Sequence, residues 1–278
     1  SYGLGLVSTA VLGCMHMHGI TPNYIMFADV GSEHDETYDY LPVIQEWLRR
    51  VGFPQVTVVR YVPKRFKYEP YVNIWENCVV NGTLPSLAFG RKGCSLKWKA
   101  APMDKHLESL DWVKETFTAG KQIQRLIGYD CGDQDLKRFT KAVQKVEAGR
   151  TDTSYHYVYT LHAWKLDRLG CAAVVSGYMN LPVPHKSSCF FCPAMKPVEV
   201  EALPQDKLEQ IVIMEALAAP DLRTVEGLWR TTTKTKPGRM TDFIKSQKLL
   251  PEERLHACQN QPHVEVRKYL GRDNAPRV

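Results

Sequence analysis

The segment Asn23-Tyr-Ile-Met-Phe-Ala-Asp29 decides how the N-terminal part of this chain folds. It is a continuous apolar run of strand length that ends at a carboxylate, a pattern typical of a parallel strand buried on both faces. Helical spacing of apolar residues precedes it at 11–15 and follows it at 36–51, where Gly52 ends the pattern. We expect Pro42 near the first turn of the second helix, where proline is tolerated.

The alternation of strand and helix continues beyond this segment. Residues 55–61 are rich in β-branched side chains and predict a second strand. Residues 123–128 predict a third strand, residues 134–146 a helix, and residues 172–176 a further strand. Such alternation predicts an α/β fold with a doubly wound, mostly parallel sheet.

The character of the chain changes near residue 185. From there a pair of cysteines is followed by helical patterns at 198–203 and 208–217, and then by a stretch rich in Lys and Arg. We therefore predict an α/β domain over 1–185 and a C-terminal, cysteine-bearing helical region over 186–278.

The composition is that of an ordinary globular protein, since 44% of the 278 residues are hydrophobic and 24% are charged. No apolar stretch approaches the roughly 20 residues that a membrane span needs, and the N-terminus lacks a secretory leader pattern. We therefore expect a cytoplasmic protein whose 8 cysteines are thiols or metal ligands rather than disulfides. The 36 Lys and Arg against 30 Asp and Glu, a net charge of +6, permit an anionic partner without requiring one.

A glycine-rich segment opens the sequence. Ser1, Gly3 and Gly5 precede Ser8 and Thr9, which stand at the expected start of a helix. Backbone N–H groups in such a turn, with the positive end of the helix dipole, can bind a phosphate, and short side chains let it approach. The alternative is a plain tight turn before a helix. Because a phosphate loop normally follows a strand, we also expect a strand ahead of residue 1.

Two of the predicted strands end in residues that suit a ligand site. The first strand ends at Asp29, with Gly31 two residues later, and the third ends at Gly128. Ligands of open α/β sheets bind at the carboxyl edge of the strands. We therefore predict that these three residues lie beside the glycine loop and contribute to the same site.

The cysteine spacing points to a metal site. Cys189 and Cys192 form a C-x-x-C pair, which can bind a metal or act as a redox dithiol, and its position among helices favours ligation. Cys94 is the best third ligand because neighbouring cations favour its thiolate, and Cys131, at a strand end, is a weaker candidate for a fourth. We expect Cys14, Cys78 and Cys171 in the core, because their neighbours are apolar. No role is predicted for Cys258.

Together these segments resemble the phosphoadenosine phosphosulfate reductase family, a branch of the PP-loop ATP pyrophosphatases, over residues 1–220. The segment Gly3-Leu-Gly-Leu-Val-Ser8 is similar to the family's Ser-Gly-Gly-x-Asp-Ser loop, with Val7 in place of the aspartate. The segments that begin at Asp29 and Cys94 are similar to the family's Asp-Thr-Gly and Cys-Cys…Lys-x-x-Pro segments, with Ser95 at the second cysteine. The variant loop together with Cys-x-x-Cys-Pro is most similar to a subgroup found in phages and mobile elements.

The resemblance implies that the domain over 1–185 is a PP-loop nucleotide-binding domain of the adenine-nucleotide alpha-hydrolase type. Its ligands would be ATP, or a related adenylate nucleotide, and Mg²⁺. The residues that would bind the nucleotide are Ser1, Gly3, Gly5, Ser8, Thr9, Asp29, Gly31 and Gly128.

The resemblance also implies an iron–sulfur cluster of the [4Fe–4S] type on three thiolates, Cys94, Cys189 and Cys192. Ligation by cysteine alone suits either such a cluster or zinc, which is the alternative. The cations near Cys94 would act catalytically by neutralising developing phosphate charge, or would merely solvate a loop. These cations are Arg91, Lys97 and Lys99.

This pattern predicts a transferase, namely an ATP-dependent sulfur-transfer enzyme. Its favoured acceptor is DNA or tRNA, and a sulfur-donor protein is a further expected partner. Cations and aromatics interleave over 60–68, which suits phosphates and stacked bases. Basic residues recur over 229–249, where residues 231–238 are expected to form a mobile loop. The alternative for both stretches is a solvated positive face. A homo-oligomer stays open.

Two other functions stay open. One is reduction of adenylyl sulfate or its 3′-phosphate, against which Cys258 counts because it lacks the flanking Glu and Gly of the reductase nucleophile. The other is a nucleotide-binding regulatory subunit without turnover, which Val7 in the loop favours.

Overall fold

The computed structural model describes residues 1–270, and the chain divides into two compact units. Unit 1 comprises residues 1–29, 33–60 and 100–188, and unit 2 comprises residues 30–32, 61–99 and those from 189 onward. One division, between Ser188 and Cys189, falls close to the boundary predicted near residue 185. Unit 2 also takes in residues 61–99, which no change in composition marks.

All four strands of the described residues belong to unit 1. Strand β1 (Ile25–Asp29) pairs in parallel with β2 (Val56–Arg60), with Ile25 opposite Val56 and Asp29 opposite Arg60. Strand β3 (Ile123–Leu126) pairs in parallel with β4 (Tyr155–Val158). The α/β class is therefore confirmed, but the strands form two separate two-stranded sheets, and the doubly wound sheet stays a prediction.

Helices predominate over strands along the chain. In chain order they are α1 Leu6–Met17, α2 Asp35–Arg50, α3 Ile74–Val80, α4 Gly93–Ser95, α5 Ala101–Ser109, α6 Asp111–Thr118, α7 Asp133–Glu147, α8 Thr160–Ala163, α9 Arg168–Ala173, α10 Pro197–Glu201, α11 Gln205–Ala218, α12 Met240–Ser246, α13 Glu252–Asn260 and α14 Pro262–Glu265. Irregular helical turns add Ser86–Phe89, Leu96–Ala100, Val174–Tyr178, Ala219–Asp221 and Val266–Lys268. None of the helices within residues 1–270 combines the length and apolar character that crossing a bilayer requires.

The elements with strong local patterns occur where the sequence predicts them, and two expectations are wrong. Pro42 is the eighth residue of α2 rather than part of its first turn. Residues 172–176 are helical, not a strand, because they continue α9 into the turn Val174–Tyr178. The Asp167 carboxylate caps α9 by accepting a hydrogen bond from the Gly170 N–H at 2.8 Å, which starts a helix where the short apolar run alone suggested extended chain.

Each unit has its own apolar core. In unit 1, α1, β1, α2 and α9 enclose fully or almost fully buried side chains such as Leu12, Ile44 and Cys171. In unit 2 the core surrounds α11, whose Ile211 and Met214 are completely buried. Residues 208–215 of α11 are all buried, the polar ones included, as expected for a helix at the centre of a core.

A buried carboxylate organises the C-terminal part of unit 2. The Glu215 side chain of α11 accepts hydrogen bonds from the N–H groups of Leu228, Met240 and Thr241 at 2.7, 3.0 and 2.8 Å, and from the Thr241 hydroxyl at 2.6 Å. Two of these donors lie in the first turn of α12, so the carboxylate stabilises the start of that helix. Glu215 therefore fixes the path of the chain between 228 and 241.

Helix α1 packs closely at Gly13 against the helical turn Val174–Tyr178 and Met179. A Cβ atom at Gly13 would lie 2.7 Å from the Val174 Cγ1 and the Met179 Sδ. We expect Gly13→Ala to lower the free energy of unfolding by about 1–3 kcal/mol, because Val174 is β-branched and cannot rotate away. Chemical denaturation followed by circular dichroism measures this loss.

The matched control is Gly177→Ala, since nothing lies within 4 Å of a Cβ atom at Gly177. Its unfolding free energy should change by no more than about 0.5 kcal/mol. Equal effects of the two substitutions would contradict close packing at Gly13.

Candidate nucleotide loop and cysteine site

The glycine-rich segment in unit 1 forms a loop at the start of α1. Gly5 is the residue before the helix, and no side chain caps the helix there. The Ser8 hydroxyl donates a hydrogen bond to the Gly5 carbonyl at 2.9 Å and accepts one from the Gly3 N–H at 3.3 Å. Ser8 thus holds the loop in shape, while the first N–H groups of this 12-residue helix are left to bind an anion.

The loop contains local backbone strain at Leu4. This residue has a φ of 56°, in the left-handed region that non-glycine residues rarely adopt. Its side chain is completely buried in the core of unit 1. Burial of Leu4 offsets a strain of roughly 1–2 kcal/mol, so the core holds the backbone of the loop in a conformation that it would not adopt alone.

Sequence reasoning did not predict the residue that covers the loop in unit 1. A Cβ atom at Gly5 would lie 2.9 Å from the Ser187 hydroxyl oxygen, and one at Gly3 would lie 3.9 Å from it. The backbone carbonyl of Ser188 accepts a hydrogen bond from the His34 N–H at 3.0 Å, which keeps this segment in place. The only available signal was two serines directly before Cys189.

Val7 and Gly128 are in contact in unit 1. A Cβ atom at Gly128 would lie 3.2 Å from the Val7 Cγ1, so glycine is needed there for close packing rather than for a turn. The prediction that Gly128 lies beside the loop agrees with this contact. Val7 presents methyl groups where the resembled family has a carboxylate, so this position offers no ligand for Mg²⁺, and we derive no role for that ion.

Asp29 is held by neighbours in unit 1. Its carboxylate accepts hydrogen bonds from the Arg60 Nε at 2.7 Å and from the Tyr38 hydroxyl at 2.9 Å. Because Asp29 and Arg60 are paired across β1 and β2, this ion pair joins the ends of the two strands. Burial raises the pKa of Tyr38, which therefore stays protonated as a donor.

Gly31 lies in a turn of unit 2. It has a φ of 69°, and a Cβ atom there would lie 2.6 Å from the Asn73 Cβ. Asn73 caps α3 by accepting a hydrogen bond from the Glu76 N–H at 2.8 Å. Glycine at position 31 is thus explained by local packing, whatever its part in nucleotide binding.

The three predicted metal ligands all lie in unit 2 and pack against its core. Cys189, Cys192 and Cys94 are each half-buried. Between the paired cysteines, Phe190 and Phe191 are buried with their rings 4.9 Å apart, and the Cys192 N–H bonds to the Cys189 carbonyl at 3.0 Å. The two phenylalanines anchor a tight turn in which both cysteines are half-buried.

Cys94 lines a cavity of about 420 Å³ in unit 2. Arg91 and Lys97 line the same cavity, and the Cys94 N–H donates to the Ser86 hydroxyl at 2.6 Å. The Lys97 ammonium lies 5.0 Å from the Tyr61 ring centre and 5.5 Å from that of Trp98. These contacts hold Lys97 at the cavity by cation–π attraction. Lys99 does not line the cavity but has a polar partner of its own.

The remaining cysteines differ from these three in environment. Burial raises the pKa of Cys78 to about 12 and that of Cys14 to about 11, so both stay thiols in the core as predicted. Cys171 is fully buried as well. Cys131 lies in unit 1, where burial raises the pKa of its thiol and its Sγ is 3.9 Å from the His162 Nδ1.

The donor set and its spacing bear on which metal would fit. Within residues 1–270, only Glu209, Cys258 and Glu265 have ligand atoms that all lie within 4.8 Å of one another. A single zinc ion would draw its sulfur ligands to roughly 3.8 Å from one another, whereas in an iron–sulfur cluster each thiolate binds a different iron and the spacing is wider. Cys94, Cys189 and Cys192 do not meet the 4.8 Å spacing, so the choice between a cluster and zinc stays a prediction.

The group of Glu209, Cys258 and Glu265 could hold a metal ion by geometry, but its charges are already compensated. The Arg254 guanidinium donates hydrogen bonds to both carboxylates. Its Nε lies 2.9 Å from a Glu209 oxygen, and one of its terminal nitrogens lies 3.0 Å from a Glu265 oxygen. Lys268 bonds to Glu265 at 2.7 Å. A cation added here would meet the Arg254 and Lys268 charges, so the group acts first as a buried ion-pair network that links α11, α13 and α14.

An exposed strip in unit 2 carries cations and aromatics in alternation. Over residues 62–68, Val62 is 74% exposed and Tyr68 56% exposed, and the Lys67 ammonium lies 5.0 Å from the Tyr68 ring centre. The strip follows Tyr61, whose ring packs on Trp98 at 4.9 Å. It thus leads along the chain to the aromatic residues that hold Lys97.

The basic stretch around 230 contains a hydrogen-bonded turn, and its expected mobility stays a prediction. The Glu226 carboxylate accepts hydrogen bonds from the Thr232 N–H at 3.1 Å and from the Thr232 hydroxyl at 2.5 Å. The Lys236 ammonium lies 4.7 Å from the Trp229 ring centre. The residues expected to form a mobile loop are therefore a hydrogen-bonded turn, because a carboxylate outside the basic run closes it.

No family model, curated protein or solved structure matches this chain. The family resemblance therefore stays a prediction that depends on the motifs quoted for it.

The ion-pair network predicts a loss of stability in acid. Hydrogen bonds from Arg254 lower the pKa of Glu209 below its ordinary 4.5, and those from Lys268 do the same for Glu265. Because the folded state binds fewer protons, the stabilisation is present above pH 4.5 and is lost as the pH falls through the lowered values. Denaturation between pH 6 and pH 3 measures this slope.

Arg254→Met is the matched variant for this measurement. It keeps the length of the side chain but removes the charge, so stability near neutral pH should fall and the acid slope should flatten. A variant with the same slope as the original chain would contradict the network.

Proposed function

We propose that this chain is an ATP-dependent sulfur-transfer enzyme that acts on a nucleic acid. An acceptor oxygen would attack the α-phosphorus of ATP and release pyrophosphate, and a sulfur nucleophile would then displace AMP from the activated acceptor. The observation that carries the proposal is the loop before α1, which the Ser8 hydroxyl holds in shape through a hydrogen bond to the Gly5 carbonyl. No side chain caps the N–H groups at the start of this helix. Such a helix start binds phosphate oxygens.

The proposed role of unit 1 is to bind and orient the nucleotide. The N–H groups of the first turn of α1 would bind phosphate oxygens, and the Ser187 hydroxyl, which lies over Gly5, would donate a further hydrogen bond. Buried Leu4 supports this role because it holds the loop before any ligand arrives, which lowers the entropic cost of binding.

The proposed role of the cysteine site is to hold an iron–sulfur cluster on Cys94, Cys189 and Cys192. When bound, such a cluster supplies sulfur chemistry that protein side chains lack. Arg91 and Lys97 contribute positive charge at the cavity next to Cys94, which attracts an anionic acceptor. The exposed strip over 62–68 supports a single-stranded nucleic acid as the acceptor, since its rings can stack on bases and its cations can meet phosphates.

Specific contacts bear on the two alternative functions, a reductase and a regulatory subunit. A reductase would need a reactive thiol near the C-terminus, but Cys258 is completely buried and its pKa is raised to about 11. A regulatory subunit without turnover is favoured by the apolar contact of Val7 with Gly128. The experiments below separate this alternative from the enzyme.

We expect ATP turnover to depend on nucleic acid. Pyrophosphate release should rise when single-stranded RNA or DNA is added to protein that has been purified without oxygen and given a sulfide source. Ser8→Ala should weaken ATP binding about tenfold, or about 1.4 kcal/mol, because the loop loses its brace. Calorimetric titration and a pyrophosphate assay measure the two effects.

The control for Ser8 is Ser176→Ala, which removes a hydroxyl that bonds only to the Ala172 carbonyl within its own helix. It should bind ATP as the unchanged chain does. ATP binding without pyrophosphate release, in protein that retains its metal, would favour the regulatory subunit. Sulfite formation dependent on thioredoxin would instead restore the reductase.

We expect a broad absorbance near about 400 nm, with matching iron and sulfide, in protein purified without oxygen. Cys94→Ser should lose most of this absorbance because one of three thiolates is removed. Cys131→Ser is the control, since Cys131 is also half-buried but lies in unit 1, and it should keep the band. Equal loss in both variants, or bound zinc without iron, would contradict the assignment.

A further inference from the structure

Arg230 in unit 2 has a backbone conformation that non-glycine residues rarely adopt. Its φ is 76°, in the left-handed region, and its side chain is exposed, so burial of that side chain does not explain the conformation. Backbone strain of this kind often accompanies a functional site. We propose that Arg230 and Arg91 together bind one phosphate group of a nucleic-acid strand at the rim of the Cys94 cavity, as a phosphate clamp. The strand would be the acceptor of the function proposed above, on which this assignment rests.

The neighbours of Arg230 hold its backbone in place. Trp229 is buried, and its indole N–H donates a hydrogen bond to the Met195 carbonyl at 3.0 Å. The Arg230 N–H donates to the Gly227 carbonyl at 3.0 Å, and the Arg230 carbonyl accepts a hydrogen bond from the Glu226 N–H. Because these contacts belong to the core and to a closed turn, they set the direction in which the Arg230 side chain leaves the backbone.

The Arg230 guanidinium lies against the backbone of Gly90. A Cβ atom at Gly90 would lie 2.8 Å from the Arg230 Nη2 and 3.2 Å from its Cζ, so any larger residue at position 90 would displace the guanidinium. Phe89 and Arg91, the two sequence neighbours of Gly90, both line the cavity of Cys94. The missing side chain at Gly90 thus lets the Arg230 guanidinium reach the rim of this cavity beside Arg91.

Neither guanidinium at this rim, that of Arg91 or that of Arg230, is paired with a carboxylate of residues 1–270. The acidic residue nearest to Arg230 along the chain, Glu226, binds Thr232 instead. Like charges held close together repel unless an anion lies between them. A phosphate group suits this position, because each planar guanidinium can donate to two of its oxygens.

Other features of unit 2 favour a phosphate within a nucleic-acid strand over a free anion. The exposed strip over 62–68 carries rings on which bases can stack, and it follows Tyr61 directly in the sequence. The Tyr61 ring centre lies 5.0 Å from the ammonium of Lys97, a residue that lines the same cavity. Bases on the strip and a phosphate at the rim can thus belong to one strand, whereas a free phosphate ion would leave the strip without a ligand.

The test measures binding of a fluorescein-labelled, single-stranded oligothymidine of about 12 nucleotides by fluorescence anisotropy. Arg230→Asn removes the guanidinium but keeps the left-handed backbone, which asparagine tolerates. Its Kd should rise about tenfold. The slope of log Kd against log salt should fall by about 0.7, the value for one phosphate of a single strand. The melting temperature should stay the same, whereas loss of a merely structural side chain would lower it.

Lys165→Asn is the matched control for charge and backbone. Lys165 is also exposed and has a φ of 54°, but it lies in unit 1. Its replacement removes one positive charge, yet the Kd and the salt slope should stay those of the unchanged chain. Arg230→Lys should restore the salt slope but only part of the affinity, because an ammonium lacks the planar set of donors.

A second pair of variants moves the guanidinium without removing it. Gly90→Ala puts a methyl group where the Arg230 guanidinium lies, whereas nothing lies within 4 Å of a Cβ atom at Gly52. The two glycines have similar φ values of 75° and 72°, so Gly90→Ala and Gly52→Ala should lose similar stability through backbone strain. Only Gly90→Ala should weaken oligothymidine binding, because it displaces Arg230.

Two outcomes would overturn the phosphate clamp. One is a lower melting temperature of Arg230→Asn with unchanged oligothymidine binding, which would make Arg230 a structural residue. The other is an equal effect of Arg230→Asn on the binding of inorganic phosphate or ATP, which would assign the rim to a free anion. Because none of these measurements needs ATP turnover, oligothymidine binding that depends on Arg230 without any pyrophosphate release would reject the sulfur-transfer function and keep the clamp.

Discussion

Unit 1 depends on the need of buried strands to pair every backbone N–H and C=O group. Strands β1 and β2 pair their backbone N–H and C=O groups along one edge of each strand. The ion pair between Asp29 and Arg60 holds the ends of the two strands together. On the edge of β1 that points away from β2, the Met26 carbonyl accepts a hydrogen bond from the Tyr2 N–H. The same small region carries the strained Leu4 and the start of α1, so the glycine-rich loop begins directly beside this edge.

Unit 2 depends on a different constraint, the burial of charged groups around one apolar helix. Glu215 on α11 binds the chain between 228 and 241, and Glu209 on the same helix takes part in the network with Arg254. A buried carboxylate is stable only when donors surround it. By meeting that need, the C-terminal segments close around α11 and provide the core on which the C-x-x-C turn rests.

Charge pairing separates structural cations from those available for function. Arg60 belongs by sequence to the basic stretch over 60–68, yet it neutralises Asp29, so the exposed strip begins after it. Lys97 is held against Tyr61, Tyr71 and Trp98 at the cavity of Cys94. The cations therefore divide into those held in ion pairs within the fold, such as Arg60, and those that are exposed or line the cavity, such as Lys97.

The sequence alone determined the features that local pattern controls. The apolar run of β1, the β-branched run of β2 and the periodicity of α1, α2 and α7 predicted those elements, and apolar neighbours predicted burial of Cys14, Cys78 and Cys171. Only the tertiary structure decided the helix at 172–176, the contact of Ser187 with Gly5, the packing of Val7 on Gly128, and the network around Cys258. The last three of these features join residues that are far apart in the sequence, and no local periodicity records which distant side chain will fill a given space.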